Sequence, residues 1–473
     1  MYKIYKKNNY IVIDDDISAP EWYLSKDILV QEIVENVSYE IFGILPKLGN
    51  FTNQLLHKVS IPNILKENGS PYTATEWIDF YTANSGILSS NINTNSFGYD
   101  AGGRTRISQI TTLLDGKNLG IDDTLAFENV GTGTASFSNN KTTLSVTLGQ
   151  YKIRQTKRFF PYFSGKGQLV ECTFDGFQTE ANVVKRIGYF STSVVAPYTA
   201  STDGFYIEDN GTIKVLKIFR SGTETASVDF TAMDNYAAIS SYNWTNFSVV
   251  AFDFLWLGGA ILRFWVKTSA GFVLVHTVNY SGSAVDTFTL SPNQPLRYEI
   301  RSSTGTGSLR YICSQVATEG SVNESGKPLT IFNTTSITCN TVGTIYALKS
   351  IKKQATYRDT AIQIVNVAVG ITATSDAGLV MLFVNPTLST PINYINKEKI
   401  QEGTATNQTI TANTGRLIAC FPISASGTDN SMKDSYYSFL SGLINNTMDE
   451  YVLAYMPTTL NQTVNGIISI KEI

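Results

Sequence analysis

The sequence predicts a mainly β protein: a small N-terminal α+β domain followed by two antiparallel, jelly-roll-like β-sandwich domains. Three observations point there. Charged residues make up 16% of the 473, well below the roughly 25% of average soluble domains. Tyr and Phe number 25 each, and Thr, Ser, Asn and Gly are abundant, a mixture that favours strands and turns. Short apolar runs recur at regular spacing between connectors rich in Gly, Asn, Asp and Ser, the pattern of a sandwich. The length suits about three domains of ~150 residues each, drawn here at 1–98, 99–320 and 321–473.

The N-terminal run "YKIYKKNNYIVID" places apolar segments on either side of a Lys-Asn-Asn break, so residues 1–22 read as a strand pair. "DILVQEIV" and "YEIFGILP" alternate less cleanly and suit strands or a short helix, with strand the preferred reading. The spacing predicts a helix in "SPYTATEWIDFYTANSG", with Thr73 and Glu76 as a capping box and Gly86 closing it. Trp77, Phe80 and Tyr81 then share one core-facing stripe. Residues 87–100 are Asn/Ser-rich and read as a linker.

In the central part, Leu144, Val146 and Leu148 alternate with Thr143, Ser145 and Thr147 after an Asn-Asn turn, a half-buried strand. "FDFLWLGGAILRFWV" reads as a hairpin turning on Gly258-Gly259, its arms too apolar for an outer position. Residues 319–330 form a second polar linker, and "TAIQIVNVAVGITA", "GLVMLFVNP", "EYVLAYMP" and "NGIISIKEI" supply the strands of the last sandwich. A helix is expected at about Asp434–Asn445.

The residues suited to catalysis are few. His57 and His276 are the two histidines, and His276 in "FVLVHTVNY" reads as a half-buried sheet residue. No GxSxG elbow accompanies them. "FSGKGQ" lacks the first Gly and the Ser or Thr of a phosphate loop, and "GTGTAS" lacks a strand-turn-helix context. Carboxylates such as Asp253 with Glu299, or Glu208 with Asp209, are the pairs a glycosidase would need, although turn acids explain them more simply. Cys172, Cys313, Cys339 and Cys420 are scattered without a CxxC, which speaks for free thiols in a reducing compartment and against zinc. "DDDISAPEW" follows no calcium-loop spacing. The expectation is a non-enzymatic protein with no cofactor and no metal. No run approaches the ~18 apolar residues of a membrane span, and the apolar stretch at the N-terminus is too short for a signal peptide.

The sharpest charge feature is the stretch from Lys152 to Lys166, basic without an acid and interleaved with aromatics. It suits a solvated edge strand guarded by lysine, a docking strip for a neighbouring subunit, or a platform for single-stranded nucleic acid. The net charge of −3 gives no global field for the last. Arg154, Lys157, Arg158, Phe159, Tyr162 and Lys166 are the residues a subunit contact would use.

Several phrases stand out together. "YDAGGRTRISQITTLLDGKN" begins at Tyr99 and "QYKIRQTKRFFPYFSGKGQ" ends at Gln168; "SPNQPLRYEIRSSTGTGSLRYICSQVATEG" spans Ser291–Gly320. Between them lie "KRIGYF", "GFYIEDNG" and "WLGGAILRFWV". Their order and wording resemble a family of tailed-bacteriophage virion structural proteins. The usual "YQPGKS" is here "YFSGKG": Tyr162, Gly165 and Lys166 match, whereas Phe163, Ser164 and Gly167 depart. The resemblance covers roughly residues 98–320. It implies a protein made in the host bacterial cytoplasm and carried on the virion, as a homo-oligomer (dimer or trimer), with capsid or tail proteins as partners. A capsid-attached head fibre or decoration component is the first expectation. The alternative is a tail fibre or adhesin that binds a host-surface glycan. Neither nucleic-acid binding nor membrane insertion is expected.

Overall fold

The computed structural model describes residues 110–119, 126–256, 261–269, 271–282, 286–320, 326–371, 377–424, 428–431 and 439–473, with five short strands before residue 60. The chain divides into two compact units, Met1–Ser96 and Phe97–Ile473. In the first, β1 (Tyr2–Lys7) pairs antiparallel with β2 (Tyr10–Asp15), as the sequence predicts, and β2 with β3 (Trp22–Ser25). Two further short strands, β4 (Tyr39–Glu40) and β5 (Lys58–Val59), pair with each other. The expected helix at 71–86 and the 87–100 linker lie outside the described residues, so the α part of the N-terminal α+β domain is not seen. The described part of the protein is mainly β and antiparallel, without an α-helix.

The second unit opens with a sandwich of two sheets. One runs β15 (Thr223–Asp229), β14 (Lys214–Arg220), β13 (Ser201–Asp209), β12 (Val183–Thr192), β19 (Leu296–Ser302), β10 (Tyr151–Thr156), β7 (Phe127–Val130). The other runs β18 (Gly271–Asn279), β17 (Ile261–Thr268), β16 (Ser248–Leu255), β11 (Gln168–Asp175), β20 (Gly307–Glu319), β9 (Lys141–Val146), β8 (Thr134–Ser138), with β6 (Ile110–Lys117) also on β20. The Asn139-Asn140 turn has φ of 49° and 61°, the double positive φ of a two-residue hairpin, and sets Ser138 opposite Lys141. Leu144 and Val146 are buried as the alternation predicts, but Leu148 lies beyond the strand and is exposed. The β16–β17 arms pair from Val250↔Val266 to Leu255↔Ile261, inside the sheet as expected. The core between the sheets is aromatic: Phe254 touches Tyr162, Tyr189, Phe205 and Phe288 at centroid separations of 5.1–6.3 Å.

Four fragments of the phrases that carry the family resemblance fold side by side, while "ILRFWV" and "SLRYICSQVATE" belong to the facing sheet. "RIGYF", "GFYIED", "LRYEIR" and "YKIRQT" form β12, β13, β19 and β10, which are neighbours in one sheet. Leu296, Tyr298 and Ile300 enter the core, so Arg297, Glu299 and Arg301 face the other side. There Arg297 pairs with Glu299 at 2.7 Å, and Arg186 with Glu208 at 2.6 Å and Glu299 at 3.5 Å. Tyr198 and Thr199 from the 193–200 loop accept hydrogen bonds from Arg297 and Arg186. Gly188 lies opposite Tyr206, and Gly204 opposite Phe190; those two rings meet over the bare backbone, tilted by 41° with centroids 4.4 Å apart. Gly204 has a φ of 109°, and a Cβ there would meet Tyr189 O at 2.3 Å. Gly204→Ala will therefore lower stability by about 1–3 kcal/mol, read from the urea midpoint.

The rest of the chain forms a second sandwich. One sheet holds β21 (Lys327–Phe332), β31 (Gln462–Glu472), β24 (Ile362–Ile371) and β29 (Thr428–Ser431), with β22 (Ile337–Cys339) on β31. The other runs β26 (Tyr394–Lys397), β27 (Ile400–Thr404), β23 (Tyr346–Lys353), β30 (Tyr451–Pro457), β25 (Ala377–Val384), β28 (Arg416–Ser424). β31 alternates buried and half-buried residues along its length. The helix expected at 434–445 does not form over 439–445. There Leu440 N–H donates to Ile362 O and Gly442 N–H to Lys157 O, both at 2.9 Å. These long-range partners take the donors a helix would use internally, so tertiary pairing overrides local propensity.

Candidate functional site

The basic stretch singled out in the sequence lies largely inside the chain. Arg154 is fully buried, its guanidinium 4.4 Å from the Phe127 ring centroid and 4.6 Å from that of Tyr311. Arg158, also buried, stacks 3.5 Å from the ring of Phe439 in the second sandwich. Such stacking holds a cation in apolar surroundings. Phe159 is buried near Lys353 and Arg358. Tyr162 accepts a hydrogen bond from Trp256 N–H at 3.1 Å and donates its own backbone N–H to Asn293 Oδ1 at 2.8 Å. Lys157 is half-buried, and Lys166 lies 5.4 Å from the Phe163 ring. Residues 157–159 thus join the two sandwiches, and beside them Arg358 donates to Thr192 O at 3.0 Å and Asn293 to Asp359 O at 3.1 Å.

Two hollows flank this seam. One, of about 210 Å³, is lined by Lys157, Arg158, Phe439, Ser441, Asp449 and Tyr451 among others. The other, of about 560 Å³, includes Phe159, Thr192, Asp203, Ser291, Arg358 and Asp359. Titratable groups here carry shifted pKa values. Desolvation pushes the Asp203 carboxyl up to about 6, even though Leu290 and Ser291 N–H donate to it at 2.8 and 2.7 Å. Burial brings the Lys353 amine down to about 7. Burial also raises Glu128 to about 7; its carboxyl accepts Ile444 N–H at 2.6 Å across the seam.

The Glu128 shift has a defined sign. Between about pH 4.5 and 7 the folded chain keeps a proton that the unfolded chain has released, so stability falls as pH rises through that window. Glu128→Gln keeps the acceptor and removes the titration. It will raise stability at pH 8 by about 1–3 kcal/mol while matching the parent at pH 4, measured by urea unfolding.

A third hollow, of about 260 Å³, lies on the flank of the first sandwich. Its wall is Tyr236, Tyr242 and Trp244, backed by buried Phe230. Two 3-10 turns, Phe230–Ala232 and Tyr236–Ile239, present these rings. The Asp229 side chain caps the first turn by accepting from Thr231 N–H. Asn235 N–H donates to Val275 O at 3.0 Å, and Trp244 O accepts Phe177 N–H at 2.9 Å, so both ends are pinned to the sheets. Trp244 packs edge-on against Phe177 at 6.0 Å, and Tyr242 lies 4.6 Å from Trp244. The Trp244 indole N–H and the Tyr236 and Tyr242 hydroxyls have no hydrogen-bond partner among the described residues. Lys214 and Asp229 complete the rim. Sequence reasoning missed this site; its signal was a strandless stretch, "MDNYAAISSYNWTN", carrying three large aromatics.

Other sequence candidates fall apart in space. Asp253 alternates out of the core on one sheet and Glu299 on the other, so they occupy opposite outer faces of the sandwich. Glu208 and Asp209, adjacent on β13, face opposite sides of it. His276 is half-buried on β18, its Nδ1 2.8 Å from Asp234; His57 lies outside the described residues. All four cysteines are unbridged. Burial raises the Cys172 and Cys339 thiols to about 12, and Cys420 is exposed. Among the described residues no cluster of three or more His, Cys, Asp or Glu is placed to hold a metal ion, and no helix is long and apolar enough to cross a membrane.

No protein-family model matches the chain, and no curated protein matches it. Solved structures do. A Bacillus licheniformis β-glucanase is 12% identical over 44% of this chain and 97% of its own, with a TM-score of 0.30. A legume lectin-like domain from Entamoeba histolytica is 11% identical over 46% and 100%, with a TM-score of 0.29. A carbohydrate esterase of the Shiga toxin-encoding bacteriophage phi24B is 14% identical over 45% and 100%, with a TM-score of 0.27. Likeness at this level assigns no function.

Proposed function

We propose that this chain is a non-enzymatic carbohydrate-binding protein of the adhesin type, and that the Tyr236–Tyr242–Trp244 hollow receives the sugar. The carrying observation is three half-buried aromatic rings whose polar tips have no hydrogen-bond partner among the described residues. A sugar ring has an apolar C–H face and a hydroxyl rim. Aromatic faces cover the first, while an indole N–H, phenol hydroxyls and a carboxylate take the second. The hollow is small for a ligand pocket, which typically exceeds 300 Å³, and suits one or two sugar units of a longer chain. Rings held by caps and sheet contacts lose little freedom on binding.

On an array of bacterial surface polysaccharides the full chain will bind a subset and blue-shift or quench its tryptophan emission. Tyr242→Ala will weaken that binding at least tenfold with the melting temperature retained. Silence across the array, or full binding by Tyr242→Ala, rejects the reading.

A virion address rests on the sequence phrases between Tyr99 and Gly320. It fits the same function, since an adhesin is carried on the particle. Immunogold labelling with antibody to residues 331–473 will decorate intact phage particles at the capsid or the tail; absence from dissociated virions rejects the address.

A further inference from the structure

The outer face of the seven-stranded sheet carries Arg186, Lys217, Arg297 and Arg301. Three of them are neutralised within the chain. Arg186 pairs with Glu208 and Glu299, Arg297 with Glu299, and Lys217 with Glu208 at 3.3 Å and Glu224 at 3.1 Å. Arg301, half-buried at the end of the same row, has no ion-pair or hydrogen-bond partner among the described residues. Burial first and then the charge of Arg186 lower its pKa, against the opposing pull of Glu299 and Glu208, neither of which pairs with it.

Arg301 opens into a polar hollow of about 550 Å³, lined by Asn182, Asn210, Thr212, Ser302 and Ser303 among others, with no carboxylate in the lining. The acids next along the chain are already engaged: Glu180 by Lys185 at 3.1 Å, and Asp209 by Lys214 at 2.7 Å. Asn210 Oδ1 accepts Thr212 and Ile213 N–H at 3.0 and 2.9 Å, which leaves its amide N–H₂ as a donor. A guanidinium fork among amide and hydroxyl donors is the chemistry that receives a carboxylate. Thr212 also lines the aromatic hollow, so the two hollows meet across the turn from Asn210 to Ile213.

We propose that this hollow binds a sugar-borne carboxylate, so that the glycan taken by the neighbouring aromatic site is an acidic polysaccharide containing uronic acid. The inference deepens the carbohydrate reading and rests on it for the nature of the ligand.

Calorimetric titration of the full chain with sodium glucuronate, glucose and sodium sulfate at matched ionic strength tests it. Glucuronate will bind more tightly than glucose or sulfate. Arg301→Gln will weaken glucuronate at least tenfold and leave glucose unchanged, with partial recovery in Arg301→Lys. A melting temperature at or above the parent's will show that Arg301→Gln folds. Glucuronate binding no tighter than glucose, or unaffected by Arg301→Gln, overturns the proposal. Sulfate binding equal to glucuronate overturns the sugar-borne part and leaves a plain oxyanion site. Failure of the aromatic site shows separately, as array binding indifferent to Tyr242→Ala while the glucuronate preference persists.

Discussion

The central sandwich depends on burying charge without leaving it unmatched. Arg297 and Glu299 are fully enclosed, and removing one partner of such a pair costs about 3–5 kcal/mol because the other charge stays behind. The network is closed from within the sheet by Gln155 and Thr192 and from outside it by Tyr198 and Thr199, all of which accept guanidinium protons. The 193–200 loop is therefore fixed by the charges it covers. Gly188 and Gly204 matter for the same reason. Their missing side chains leave room for Phe190 and Tyr206 beside the ion pairs, with Arg297 5.3 Å from the Phe190 ring and Arg186 5.2 Å from the Tyr206 ring.

The same logic extends to the seam between sandwiches. Arg154 anchors β10 inside the first core, and four residues later Arg158 crosses to Phe439. Cations that would ordinarily mark a solvated surface here stitch aromatic rings from distant parts of the chain. The seam also holds Glu128 and Lys353, an acid and a base whose burial drives both toward neutrality.

Much of the fold was legible. The Asn139-Asn140 turn, the Leu144/Val146 alternation, the β16–β17 hairpin and the β31 strand are local patterns, and local patterns survive folding. The fate of Arg154 and Arg158 was not legible, because Tyr311 and Phe439 reach them from far along the chain. The 434–445 helix failed as an expectation for the same reason: its described backbone donors answer to Ile362 and Lys157. In the site, Arg301 was within reach of the sequence, since the alternation of "LRYEIR" puts Arg297, Glu299 and Arg301 on one face. That Arg301 alone of the row has no partner among the described residues depends on where Glu208 and Glu224 sit. The Tyr236–Tyr242–Trp244 wall has no period to find, because 3-10 turns present it.

The pairing of β20 also sets the tempo of folding. Its register joins Glu319 to Ile110 and Gly307 to Val146, closures of well over a hundred residues. Non-local pairing of this kind is slow, because loop entropy is lost before contacts compensate for it. Until β20 docks, β6 has no partner strand and β11, paired with β16 on one side, leaves its other edge open. The nascent chain thus passes through a long interval with sticky edges exposed, when aggregation competes with folding. Once β20 is seated between β11 on one side and β9 and β6 on the other, the sheet has no short route to opening.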